Sequence, residues 1–119
     1  MRKKLPNSVV IGGRRIKVVF KEMKETWGFY SHDKRTIELS MKLKAPEKNK
    51  AAWETLVHEC THAALAMGGL DHILDEATEE AVVRCLEHMF LPALEALNPP
   101  KGYTNGCEAK TSKGKKKQS

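Results

Sequence analysis

Residues 55–64 read T-L-V-H-E-C-T-H-A-A, so His58, Glu59 and His62 form the pattern H-E-x-x-H. Residues four apart on a helix share a face, which lets both imidazoles aim a nitrogen at one ion about 2 Å away. Glu59 follows the first histidine, close enough to reach a water beside the ion without binding the ion itself. A divalent ion acidifies such a water and polarises a carbonyl, and a neighbouring carboxylate takes the proton as the water attacks. That chemistry is peptide-bond hydrolysis, with Zn2+ as cofactor and a protein or peptide as substrate. The flanking positions Leu56, Cys60, Thr61, Ala63 and Ala64 are all uncharged, as a helix buried beneath a cation requires. The competing reading is two histidines that merely share a helix face.

Two histidines leave a catalytic zinc one protein ligand short. A histidine six residues after His62 would fall on Gly68, which excludes the metzincin spacing. His72 lies in the segment between the two expected helices. The acidic start of the second helix is the better source. Extending the stripe of Val83, Leu86 and Phe90 back by one turn reaches Glu79, with Glu76 a further turn back and Glu80 about 100° round. A carboxylate aimed at a core is costly unless it meets a cation. Glu79 is therefore the expected third ligand, with Glu76, Glu80 and His72 as alternatives.

The elements that must position these groups follow from periodicity. Ser8 to Phe20 reads as two strands about Gly12-Gly13, with Ile16, Val18 and Phe20 alternating with more polar neighbours. Trp27 to His32 and Thr36 to Ser40 read as a second hairpin about Asp33-Lys34, with Ile37 and Leu39 facing the core and Thr36–Ser40 the expected edge strand for an extended substrate. Pro46 opens a helix whose stripe is Trp53, Leu56, Val57, Cys60, Ala63, Ala64 and Met67, ended by Gly68-Gly69. A second helix runs from about Asp75, its N-cap, to Leu97, with a kink or break expected at Pro92. Its inward stripe is Val82, Val83, Leu86, Met89, Phe90, Ala93 and Leu94. The fold class is thus α+β: a small N-terminal β-sheet, the motif helix and a second long helix.

The bulk numbers fit one domain: 119 residues, 40% hydrophobic and 30% charged. The expected division is a folded domain over 1–100 and a basic disordered tail over 101–119. The net charge of +6 is mostly the tail's, which carries six lysines against Glu108 alone. The domain is near neutral, so the basic balance does not argue for a nucleic-acid-reading surface on it; the tail could make weak nucleic-acid contacts. The apolar stretch near the start is too short for a signal-peptide core and no run would cross a bilayer, so a cytoplasmic protein with no membrane contact is expected. Three cysteines with no C-x-x-C spacing argue against a disulfide framework or cysteine-ligated zinc. Cys60 and Cys85 read as small core residues, Trp27 and Trp53 as packing residues. Tyr30, His32, His72, His88 and Tyr103 are candidates for a donor to the developing oxyanion, each more readily read as a surface or core residue.

The motif helix T-L-V-H-E-C-T-H, followed by E-E-A-V-V-R-C-L-E-H-M-F-L-P, resembles the ImmA/IrrE class of zinc metallopeptidase-like proteins, most of all the short versions that bacteriophages encode. The resemblance covers about residues 10–98. It implies a minimal zincin-like fold, proteolysis, and a glutamate at the start of the following helix completing the zinc site; counting back from Pro92 in that pattern lands on Glu79. Val83 stands where an asparagine is often found, and an attached DNA-binding or sensor domain is not expected. An SprT-like peptidase, with a histidine as third ligand, is one alternative. A zinc-stabilised binding module in which Glu59 is idle, acting in phage assembly or on nucleic acid, is another.

Overall fold

The computed structural model describes residues 3–102. The tail expected from 101 onward, with Tyr103 and Cys107, lies almost wholly outside the described residues.

The first hairpin forms as expected. Strand β1 (Ser8–Ile11) pairs antiparallel with β2 (Arg14–Lys21). Gly12 and Gly13 take φ of 60° and 81° between them, the pair of positive values that a two-residue turn matching strand twist needs. The second hairpin, β3 (Gly28–Ser31) with β4 (Thr36–Ser40), is also antiparallel. The two hairpins join through a parallel pairing of β2 with β4, in register Val18 to Ile37 and Phe20 to Leu39. The sheet order is β1-β2-β4-β3. Ile16, Ile37 and Leu39 are fully buried and Val18 nearly so. Alternation along β2 and β4 therefore points one face at the core.

That order corrects one expectation. Thr36–Ser40 is hydrogen-bonded on both sides and cannot accept an added strand; the edge strand beside the motif helix is β3.

A 3-10 turn, Pro46–Lys48, leads into helix α1 (Asn49–Met67). Proline starts it without cost, because its missing N–H would be unpaired there anyway. The helix lays Ala52, Leu56 and Ala63 on Ile16, Val18, Ile37, Leu39 and Leu43. Its buried face also carries Glu59, Thr61 and Leu65, while Ala64 is exposed. The buried stripe is thus turned from the expected one toward the motif's glutamate.

Asp75 caps the second helix by accepting from the Thr78 amide at 2.7 Å. The helical rod comprises α2 (Glu76–Cys85), one π turn (Leu86–Phe90) and α3 (Leu91–Leu97). In the π turn the Leu91 amide donates five residues back, to the Leu86 carbonyl. Pro92 has no N–H to continue the ladder, so the break expected there is taken up as a widened turn just before it. Asn98, in the left-handed region at φ 51°, ends the rod before Pro99.

The inward stripe of this rod holds only in its first half. Val83 is fully buried, but Met89 and Phe90 are 70% and 53% exposed, and Cys85 is exposed too. The layer that covers Val83 does not cover Met89 and Phe90, so apolar spacing there does not mean burial. Among the described residues no helix is long and apolar enough to cross a membrane.

Candidate metal centre

Helix α1 presents His58 and His62 one turn apart, their ring centroids 4.9 Å apart and nearly edge-on. Helix α2 brings its acids opposite them. His62 Nδ1 lies 2.6 Å from Glu79 Oε2, and His58 Nδ1 lies 3.0 Å from both carboxylate oxygens of Glu87. A carboxylate only accepts, so each Nδ1 is the protonated, donating nitrogen. In the neutral ring the lone pair is then on Nε2. Both Nε2 atoms face Glu80, at 3.1 Å for His62 and 4.0 Å for His58.

Donors gathered in this way could hold a cation. One ligand atom from each of His58, His62 and Glu80 lies within 4.8 Å of the others. Two donors about 2.0–2.1 Å from a tetrahedral ion are about 3.3 Å apart. The observed spacings bracket that value, so two imidazoles and a carboxylate fit zinc in both donor type and reach.

The sequence candidates therefore separate. His58, His62 and Glu80 converge. Glu79, the expected third ligand, stands instead on the outer nitrogen of His62. Glu76 is exposed and shares the lining of a small cavity with His62, Glu79 and Glu80. The His72 side chain is 84% exposed, and its nearest acid is its neighbour Asp71. Glu87 was not singled out from the sequence, though it lies seven residues after Glu80 and so on the same helical face. The spacing was the available signal.

Glu59 is 7% exposed. Burial pushes its carboxyl above the ordinary glutamate value, and the charges of His58 and His62 pull partly against this. It opens with His58 into a cleft of about 410 Å³ whose walls include Trp27, Gly28, Leu43, Thr55 and Glu87. Trp27, expected to pack, is 50% exposed and borders this cleft, with the ammonium groups of Lys42 and Lys48 5.7 and 5.8 Å from its ring. Cys60, inside the motif, turns toward the core, and burial holds its thiol up to about 11. It remains a neutral thiol and does not compete for an ion. Tyr30 donates to or accepts from His32 Nδ1 at 2.8 Å, and neither lines the cleft.

Gly28 sets how closely β3 approaches α1. A Cβ there would lie 2.7 Å from Thr55 Cγ2 and 3.1 Å from Glu59 Cγ. Thr55 cannot easily turn away, because its hydroxyl donates to the Ala51 carbonyl at 2.8 Å. Gly28→Ala should therefore destabilise by about 1–3 kcal/mol, as overpacking does, and displace Glu59. Urea unfolding with an unchanged m-value checks the first effect, and wild-type stability would refute it.

Two helix-borne imidazoles and a carboxylate from the next helix thus form a group that could hold a metal ion. A model of the SprT-like family matches residues 4–88, most of the chain, and the chain belongs to that family. The match falls on the family held as an alternative and not on the ImmA/IrrE class that the motif helices resemble. No curated protein and no solved structure matches.

Proposed function

We propose that this chain is a zinc-dependent peptidase hydrolysing a peptide bond in a cytoplasmic protein. The observation that carries the reading is the convergence of both Nε2 atoms and the Glu80 carboxylate beside a buried Glu59. His58, His62 and Glu80 would hold the ion. Zinc, when bound, supplies Lewis acidity toward a carbonyl and lowers the pKa of water.

The remaining work belongs to the chain's own groups. Glu59 removes the proton from the attacking water and returns it to the departing amine. Its burial keeps the exchange away from bulk solvent. The free edge of β3 offers main-chain groups to an extended substrate, which would add to the sheet as a further strand. That strand would pass the cleft at Gly28 and carry its scissile carbonyl toward Glu59.

Incubation of the zinc-loaded protein with an unfolded protein substrate tests the reading. Cleavage that stops on chelation and returns with zinc is expected. A protein that carries one zinc and cleaves nothing, with chelation instead unfolding it, would favour the zinc-stabilised binding module.

A further inference from the structure

Among the three acids that α2 and the π turn bring to the two histidines, one sits beside the Nε2 atoms and two sit on the Nδ1 side of the rings. We infer that Glu79 and Glu87 are positioning residues for the metal centre: each fixes one imidazole by accepting from its Nδ1, so that both Nε2 atoms are presented to the ion. The inference rests on the zinc reading but assigns roles to residues outside the ligand set.

The geometry is specific. Glu79 holds His62 through one oxygen at 2.6 Å, and Glu87 holds His58 through both oxygens at 3.0 Å. These side chains are 19% and 16% exposed, against 40% for Glu80. The two positioning contacts are thus the more sheltered ones. A carboxylate on the outer nitrogen fixes tautomer and ring orientation together and makes the inner nitrogen a better ligand. Without it, each imidazole could rotate or carry its proton on Nε2, and the ion would have to displace that proton.

Glu87 is the second residue of the π turn and lies seven residues after Glu80, so the regular spacing of the rod up to that point brings both acids to the face that meets α1.

Zinc affinity measured by competition with a chromophoric chelator separates the roles. Glutamine keeps a carbonyl oxygen that can still accept from Nδ1–H, but it is a poor replacement for a carboxylate ligand. Glu79→Gln and Glu87→Gln should therefore weaken zinc binding by no more than about 10-fold, and the alanine variants by about 10–100-fold. At Glu80 the glutamine and alanine variants should lose affinity equally, and by more than any change at Glu79 or Glu87. Imidazole nitrogen NMR shifts of the zinc-free protein above pH 8 give a second readout. Wild type should show both rings protonated on Nδ1, with Glu87→Ala mixing the tautomers of His58 alone. Loss of binding in Glu79→Gln with retention in Glu80→Gln would reverse the two roles and overturn the inference, as would unmixed tautomers in Glu87→Ala. A wild type that binds no zinc would instead sink the functional reading, leaving the tautomer result to stand or fall separately.

Discussion

Glu59→Gln should retain one zinc per chain while its rate of peptide hydrolysis falls by about 10²–10⁴-fold, the usual worth of a positioned general base. Glutamine matches glutamate in size, and Glu59 packs tightly enough against Gly28 that shape must be kept for the comparison to be clean. The amide cannot accept the proton, so only the chemical step is removed. Metal analysis beside a cleavage assay reads both quantities, and native turnover in the variant would end the general-base assignment. The same substitution has a consequence for stability. In the zinc-free protein burial raises the Glu59 carboxyl above its ordinary value of 4.5, so the folded chain keeps a proton that the unfolded chain releases. The stabilising contribution of that proton is full below about 4.5 and is lost as pH rises through the folded value. Glutamine never ionises. Chelated Glu59→Gln should therefore melt above chelated wild type at pH 7, and the gap should close as pH falls toward 4.5. An unchanged gap across that window would show that burial does not disfavour the charge.

Much of this could be read from the residues because local signals and packing agree. Gly12-Gly13, the alternation of Ile16 with Val18, the Asp75 cap and the stop at Asn98-Pro99 each specify their element locally, and each element forms there. The parallel union of β2 with β4 could not be read in this way. It is a contact between hairpins, and nothing in the alternation of Thr36–Ser40 distinguishes an edge strand from one paired on both sides. The rod from Glu76 to Leu97 shows the same limit from the other direction. Its spacing is apolar throughout, but burial depends on whether a partner layer reaches each position, and at Met89 and Phe90 it does not. The motif's histidines were legible because helical geometry alone puts residues four apart on one face. The choice among Glu76, Glu79, Glu80 and Glu87 turns on about 100° of helix rotation, which a stripe of apolar residues does not resolve.

Zinc should raise the melting temperature of the wild type, and His62→Ala should abolish that rise. An ion that binds only the folded chain stabilises it by RT ln(1 + [Zn]/Kd), about 2.7 kcal/mol at 100 times Kd. For a domain of about 100 residues that is a shift of roughly 10–20 °C. His62 is the histidine with the closest approach to Glu80, 3.1 Å from Nε2, and its removal leaves only one imidazole and one carboxylate around the ion. Two donors do not make a zinc site of useful affinity, so both the shift and turnover should disappear, with the chelated variant serving as the reference for any change in the fold itself. His72→Ala supplies the contrast. An SprT-like site closed by a third histidine would lose its metal in that variant too, whereas a side chain 84% exposed and turned toward Asp71 has no share in the centre. His72→Ala should keep the full zinc-dependent shift. Were it to lose that shift while Glu80→Ala retained it, the third ligand would be histidine, and α2 would hold the site from outside the ion's coordination.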